Sequence, residues 1–384
     1  MRRTAARALV LAAAAALTLA CVGAGDRADA PAEDFAAAYG LGDGLQLGER
    51  WPELRGLGRW YNSPPLTLDG LAADRRVVLI DFWTYTCVNC LRTLPFLKSW
   101  HEKYGSRGLT IIGVHSPEFD FERREENVAA AVARDGIRYA VVHDDEMETW
   151  RAFRNRVWPA KYLLDPHGFV RFVHFGEGEY DATERQIRDA LVDNGWDLSG
   201  VAPGGPTPPR VDPKARSITR ELYGGYGRNY LRSGLYAGQE EYYLGPDRNA
   251  TYRDEGVRQH HRWYLEGVWR NEREAVVHAR ETRELEDYIV FRFQARSVNV
   301  VMHPAMGRPY DVYVELDGKQ LTREQAGADV FFDERGRSLV RVTEPRMYAV
   351  VELRATGDRE LRLRSDAEGF SMYAVTFGNY EGGA

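Results

Sequence analysis

The chain has 384 residues, a formal net charge of −6 at pH 7 and three cysteines. This length predicts about two domains. The negative balance argues against a nucleic-acid partner, because such partners require a basic surface.

The first 24 residues have the composition of a secretory signal peptide. Arg2, Arg3 and Arg7 precede an apolar run over residues 8–20. That run is too short to cross a bilayer but has the length of a signal core. The sequence therefore predicts an exported protein of the cell envelope, outside the cytoplasmic membrane, that is either periplasmic or lipid-anchored.

The third cysteine, Cys21, stands at the end of this segment. Two outcomes stay open: lipidation of Cys21, or cleavage within residues 22–24, which would remove it. Residues 25–46 are rich in Ala, Asp and Gly and predict a flexible tether. No later run is long and apolar enough to predict a membrane helix.

The other two cysteines, Cys87 and Cys90, form a Cys-x-x-Cys pair between a strand-like apolar run, residues 77–80, and a predicted helix, residues 91–104. A structural zinc site is disfavoured because no second cysteine pair completes the four ligands, so no metal is predicted. A structural disulfide is disfavoured because it would close a very short loop. Reversible dithiol–disulfide chemistry is typical of a strand–CxxC–helix unit and is the favoured interpretation.

Three residues have predicted parts in this chemistry. Cys87 lies at the first turn of the helix, where unpaired N–H groups and the helix dipole stabilise a thiolate, so it is the predicted nucleophile. Cys90, one turn further in, is predicted to resolve the mixed disulfide. Asp81 is either a buried carboxylate that shuttles the Cys90 proton or a solvated strand-end residue. No cofactor is predicted beyond the redox-active Cys87–Cys90 disulfide.

Aromatic and polar neighbours of the pair have two interpretations each. Trp83 and Tyr85 either form a substrate-docking rim around Cys87 or fill the core. His115 and Glu118 follow a predicted strand, residues 109–114, and reach the sheet edge that carries the CxxC. They either tune the thiolate or belong to a plain hydrogen-bonded loop.

The first domain, residues 47–197, has the element order of an α/β fold. A helix over residues 123–134 leads to a strand at 139–142, and a hairpin and a helix over 183–194 complete the order. Residues 198–216 are rich in Pro and Gly and predict a linker.

Residues from about 60 to 194 resemble the thioredoxin superfamily, in particular the extracytoplasmic TlpA-like and DipZ-type proteins. The resemblance depends on segments that occur in the same order as in that family. These segments are residues 62–66, 81–90, 91–95, 113–119 and 158–162.

The resemblance implies a cis-proline, Pro159, that faces the CxxC and keeps metal away from it. It also implies that the backbone at Trp158 pairs with a substrate peptide. Without the resemblance, Pro159 would be an ordinary strand-entry proline. The same relatives imply a reductant that exchanges disulfides with envelope proteins and receives electrons from a separate membrane donor.

A thiol peroxidase is the nearest enzymatic alternative. Residues 84–87 contain the Thr-x-x-Cys part of a peroxidase signature, but Ile80 replaces the expected proline. The second cysteine at three-residue spacing fits a dithiol oxidoreductase better.

The second domain, residues 217–384, changes its hydrophobic period. Residues 288–293, 310–316 and 347–353 alternate apolar and polar side chains, and Asp317-Gly318 is a hairpin signal. The predicted fold class is thus an α/β thioredoxin-like fold plus a C-terminal all-β antiparallel sandwich, jelly-roll-like.

No catalytic motif occurs in this second domain, which indicates a binding or scaffolding module. The DipZ-type resemblance implies a carbohydrate-binding-module-like sandwich, so envelope glycans are a candidate partner. Its aromatic residues, among them Tyr223, Trp263 and Trp269, either face sugar rings or pack in the core. The alternative function is accordingly a cell-wall glycan-binding protein with a structural or idle dithiol.

Overall fold

The computed structural model describes residues 44–208, 210–211, 217–229, 235–304 and 307–380. The predicted signal segment and Cys21 lie outside the described residues. Among the described residues, no helix is both long and apolar enough to span a bilayer. Leu45, inside the predicted tether, is buried in the core, so packed structure begins before residue 47.

The first domain is a six-stranded sheet with helices on both faces. Three central strands are parallel, and antiparallel strands flank them on each side in the order β1-β4-β3-β2-β5-β6. The strands are β1 (Trp60–Tyr61), β2 (Val77–Trp83), β3 (Leu109–His115), β4 (Ala140–His143), β5 (Ala160–Leu164) and β6 (Val170–Phe175). The helices are α1 (Leu68–Ala73), α2 (Val88–Tyr104), α3 (Glu125–Arg134), α4 (Glu148–Ala152) and α5 (Tyr180–Asp193), with 3-10 turns at Gly105–Arg107 and Asp120–Arg123.

Strand β2 determines where the site lies. Every residue of Val77–Trp83 is buried, as expected of a central strand covered on both faces. The chain then leaves the sheet at its carboxyl edge and starts α2 at Val88, three residues earlier than predicted. Parallel strand β3 ends at the same edge, so the loop after His115 lies beside the CxxC.

The predicted linker is partly packed rather than free. Leu198 is buried in the core of the first domain. The backbone N–H of Gly204 donates to Glu184 of α5 at 2.7 Å, and Arg188 donates to the carbonyl of Val201 at 2.9 Å. The beginning of the linker therefore belongs to the first domain.

The second domain is antiparallel throughout its described ladders. Its described strands form one connected sheet of 12 strands, in which the long strands β11 and β16 make the central pair. The strands are β7 (Leu222–Tyr223), β8 (Asn249–Tyr252), β9 (Trp263–Asn271), β10 (Val276–His278), β11 (Tyr288–Met302), β12 (Tyr310–Leu316), β13 (Lys319–Gln320), β14 (Val330–Phe332), β15 (Ser338–Val342), β16 (Arg346–Arg364), β17 (Ser371–Met372) and β18 (Ala374–Gly378). A short helix, α6 (Tyr226–Asn229), and a 3-10 turn, Glu240–Leu244, precede β8.

Local sequence signals explain much of this sheet. Asp317 and Gly318 both have positive φ, 52° and 72°, as the tight turn between β12 and β13 requires. The ladder between β11 and β16 shifts register after Ala295, and such irregularities bend long strands. A thioredoxin-like α/β domain followed by an antiparallel all-β domain is confirmed. Trp263 and Trp269 are fully buried, so they pack in the core and offer no face to a sugar.

The two domains share one hydrophobic cluster. Phe119 and Phe121, just after β3, pack edge-on against Tyr373 with ring centroids 5.3 and 5.0 Å apart. The backbone N–H of Asp120 donates to Glu274 at 2.9 Å. The second domain is therefore packed against the sheet edge that carries the CxxC.

Candidate active site

Cys87 is the accessible cysteine of the pair. It caps the N-terminus of α2, where its Sγ accepts a hydrogen bond from the backbone N–H of Cys90 at 3.3 Å. Its side chain is half-buried, and both cysteines are free thiols. A sulfur at this position faces the unpaired N–H groups of the first helical turn, which stabilise a thiolate.

Cys90 lies behind it and is only 1% exposed. Burial raises the pKa of the Cys90 thiol well above its ordinary value, and the hydrogen bond with Cys87 and its charge raise it further. Cys90 is thus held as a thiol and needs a base before it can attack.

Asp81 is a candidate for that base. It is 1% exposed within β2, and burial raises its pKa to about 7. The charge of Asp81 also acts to raise the pKa of Cys90. A carboxyl group that titrates near neutrality is suited to exchange a proton with the buried thiol.

A buried lysine faces Asp81 across the sheet. Lys161 of β5 is the register partner of Asp81 and is fully buried. Burial lowers the pKa of Lys161, and Asp81 is the first of the charges that oppose this shift. In return the Lys161 ammonium lowers the pKa of Asp81, which burial alone would raise further. The two groups form a buried pair of opposite charge behind the cysteines.

The peptide bond between Trp158 and Pro159 is cis. The carbonyl of Pro159 accepts a hydrogen bond from the Gly176 N–H at 2.8 Å, which places this turn at the start of β5. Trp158 donates from Nε1 to the carbonyl of Ser116 at 3.0 Å and lines the same cleft as Cys87.

That cleft lies between the two domains and has a volume of about 480 Å³. Side chains of both domains form its walls. They include Cys87, Glu118 and Trp158 from the first domain and Glu221, Tyr223 and Tyr380 from the second.

Of the two interpretations of Trp83 and Tyr85, the substrate-docking rim is wrong and the core position is correct. Trp83 is fully buried, and Tyr85 is 1% exposed. Both pack on the imidazole of His115, Trp83 edge-on at 5.2 Å and Tyr85 stacked at 5.4 Å. Trp83 is the last residue of the buried strand β2, and Tyr85 stacks on the buried His115, so both rings lie in the core rather than toward the cleft.

The structure places Glu118 in the cleft lining but His115 in the core. His115 is buried at the end of β3, 3.4 Å from the Thr84 hydroxyl, and burial lowers its pKa well below the usual range. It does not line the cleft with Cys87, so its place fits a structural role better than a tuning one. Glu118 does line the cleft and bonds to Tyr223 and Arg228 of the second domain.

Comparisons with known proteins agree with this geometry. Residues 62–173 match the AhpC/TSA family, and residues 219–378 match the thioredoxin like C-terminal domain. The chain is 42% identical to Protein DipZ of Mycobacterium tuberculosis over 190 residues, which are 48% of this chain and 27% of DipZ. It is 25% identical to the thiol-disulfide oxidoreductase YkuV of Bacillus subtilis over 149 residues, 39% of this chain and 99% of YkuV. SUPPRESSOR OF QUENCHING 1 of Arabidopsis thaliana is 34% identical over 153 residues, 40% of this chain and 14% of that protein.

The first domain belongs to the thioredoxin superfamily. The chain spans about a quarter of the length of DipZ. These matches favour neither a peroxidase nor an idle dithiol. Within the described ranges, no group of three or more His, Cys, Asp or Glu side chains could hold a metal ion.

Sequence reasoning assigned no role to three charged residues of the thioredoxin-like domain. Glu122 is fully buried and accepts from the Thr86 hydroxyl at 2.6 Å and the Glu118 N–H at 2.6 Å, and burial raises its pKa to about 7. It ties the CxxC loop to the loop after β3. Lys161 and Arg92 are the other two. Lys161 could have been found by the signal that revealed Asp81, a charge inside an apolar strand.

We expect Lys161→Met to raise the pKa of Asp81 above about 7. The substitution removes the positive charge that lowers this pKa while keeping a long apolar side chain, and removal of an opposite charge changes a carboxyl pKa by roughly 1 to 3 units. A carbon-13 NMR titration of the Asp81 carboxyl measures the change. Lys319→Met, at an exposed position of β13, is the matched control and should leave the midpoint in place. An unchanged Asp81 midpoint in Lys161→Met would contradict the coupling.

Proposed function

We propose that this protein is an exported thiol–disulfide oxidoreductase that reduces disulfides of cell-envelope proteins. One observation carries the proposal: a half-exposed Cys87 caps a helix N-terminus directly in front of a buried Cys90. This arrangement makes one sulfur available to a partner and reserves the other for the second step.

The reaction has two sulfur exchanges. The Cys87 thiolate attacks one sulfur of a substrate disulfide, the substrate S–S bond breaks, and the departing substrate thiolate takes a proton from solvent. The Asp81 carboxylate then accepts the Cys90 proton, and the Cys90 sulfur attacks Cys87. The second substrate sulfur leaves as a thiolate and is protonated, so two electrons pass to the substrate and a Cys87–Cys90 disulfide remains.

Renewed turnover requires two electrons from another protein. A separate membrane electron donor would supply them by reducing the Cys87–Cys90 disulfide. The signal-like segment, residues 1–24, supports this location outside the cytoplasmic membrane, in a compartment where substrate disulfides persist.

Insulin reduction tests the activity directly. With dithiothreitol as the electron source, the full chain should accelerate precipitation of the insulin B chain, and Cys87→Ser should lower the rate to the uncatalysed background. Cys21→Ser removes the remaining cysteine outside the pair and should react like the wild type. A Cys87→Ser protein that kept the wild-type rate would refute the proposed function.

A further inference from the structure

The second domain supplies one wall of the cleft above Cys87. Glu118 accepts hydrogen bonds from the Tyr223 hydroxyl at 3.0 Å and from the Arg228 guanidinium at 2.9 Å. A second contact between the domains is the hydrogen bond that the Tyr380 hydroxyl donates to Glu177 at 2.8 Å. The two walls of the cleft are therefore joined by direct hydrogen bonds.

These hydrogen bonds lie next to an apolar core that the two domains share. Phe119 and Phe121 pack against Tyr373 next to the Glu118 contacts, and they belong to the same cluster as Cys90. A wall held by ion pairs and core packing does not move aside for a bulky partner at low cost. A disulfide that lies flush on a folded surface is thus kept from Cys87, whereas an extended polypeptide segment fits a cleft of about 480 Å³.

The charges of the lining residues add a second restriction. Four arginines face three glutamates around the cleft: Arg92, Arg156, Arg220 and Arg228 against Glu118, Glu177 and Glu221. The lining is accordingly electropositive.

Arg92 is the buried member of these four arginines. Its side chain is 4% exposed, and the Tyr380 ring covers the guanidinium at 4.4 Å. Nη1 is 3.4 Å from a Glu177 oxygen, while Nε and Nη2 find no hydrogen-bond partner among the described residues. A desolvated cation with one long carboxylate contact attracts further negative charge.

We propose that the interdomain cleft selects disulfides carried on extended polypeptide segments with acidic side chains beside the cysteine. The inference rests on the proposed function, because the cleft acts through Cys87. It assigns the second domain a part in substrate selection: Glu221, Tyr223, Arg228 and Tyr380 complete the site that the thioredoxin-like domain begins.

Two linear peptides test the charge preference. Each carries one cysteine as a disulfide with 2-thiopyridine, flanked by two Glu in one peptide and two Lys in the other. The reduced protein returns the peptide thiol, releases 2-thiopyridone, which is followed by absorbance, and becomes the Cys87–Cys90 disulfide. We expect kcat/KM for the Glu peptide to exceed that for the Lys peptide by about tenfold at low salt, and the ratio to shrink as salt screens the charges.

Two variants test whether the arginines of the cleft lining cause the preference for the Glu peptide. Arg92→Met removes the buried charge, and Arg156→Gln removes an exposed one, which keeps the test valid if the first variant folds poorly. Both should lower the Glu-to-Lys ratio several-fold. Arg171→Gln, on β6 and outside the cleft lining, should leave the ratio unchanged.

A third substrate tests the shape restriction. The same 2-thiopyridyl disulfide, placed between two Glu on a surface strand of a folded carrier protein, should react at least about tenfold more slowly than the linear Glu peptide. Equal rates for the Glu and Lys peptides, or for the linear and folded carriers, would overturn the inference while the activity stands. No reaction with any of these substrates would overturn the proposed function itself.

Discussion

Asp81→Asn should make the protein more stable above neutral pH, by about 4 kcal/mol at pH 8. The pKa of Asp81 is about 7 in the folded chain, against 3.8 as the ordinary value. Between these two values the folded state retains a proton that the unfolded state has lost. Stability of the wild type therefore falls as pH rises from about 4 to about 7, and a neutral asparagine avoids this loss.

Urea unfolding from pH 4 to pH 8 measures the effect. The wild type and Asp81→Asn should have similar midpoints near pH 4, where Asp81 is protonated in the folded state and still partly protonated in the unfolded state, and should diverge toward pH 8. Asp189→Asn, at an exposed position of α5, is the matched control and should show no such divergence. Equal midpoints for wild type and Asp81→Asn at pH 8 would mean that Asp81 is not desolvated.

The same substitution, Asp81→Asn, should lower the activity. Without the carboxylate, Cys90 loses its proposed base, and loss of a general base slows a proton-transfer step by roughly 10² to 10⁴-fold. The resolving rate of the wild type should rise with pH through about 7 as Asp81 ionises, and that rise should be absent in Asp81→Asn. Stability gained and activity lost in one variant would identify Asp81 as a functional rather than a structural residue.

Local sequence signals were sufficient for the central part of the site. An apolar run, a Cys-x-x-Cys pair and a helical segment follow one another within 30 residues, so strand β2, the capping cysteine and helix α2 could be predicted together. Asp81 was visible because a carboxylate inside an apolar strand is expensive and seldom accidental. Its partner Lys161 has the same property, but only the sheet register places the two residues opposite each other.

The burial of the aromatic residues could not be predicted from local sequence alone. Alternation along a strand indicates two faces but does not tell which of them another element covers. Trp83 and Tyr85 were therefore open to either interpretation, and His115 from a different strand is what they pack against.

The cleft wall that the second domain supplies could not be predicted. Glu118 and Tyr223 are 105 positions apart, and Glu177 and Tyr380 are 203 positions apart. No periodicity or motif links residues at such distances. The absence of a catalytic motif in the second domain indicated a binding or scaffolding module, and the contacts of this domain with Glu118 and Glu177 place it beside the cleft that Cys87 lines.

Cys90→Ser should convert the protein into a trap. Cys87 would still attack a substrate disulfide, but a serine hydroxyl cannot displace the substrate, so the mixed disulfide accumulates. Dithiothreitol must then resolve the complex from solution. Because a neighbouring group acts at an effective concentration far above any millimolar reagent, insulin reduction should fall by at least about a hundredfold.

Acid quenching of an envelope extract, followed by non-reducing electrophoresis, detects the trapped complexes. Cys87→Ser/Cys90→Ser is the control and should trap nothing, since the attacking sulfur is absent. Mass spectrometry of the trapped peptides then reads the residues beside the substrate cysteine, which the charge of the cleft predicts to be acidic. Complexes that formed equally in the double variant would show that Cys87 is not the nucleophile. Complexes that formed only through Cys87 but showed no excess of acidic residues beside the substrate cysteine would support the exchange reaction. They would contradict a role of the second domain in substrate selection.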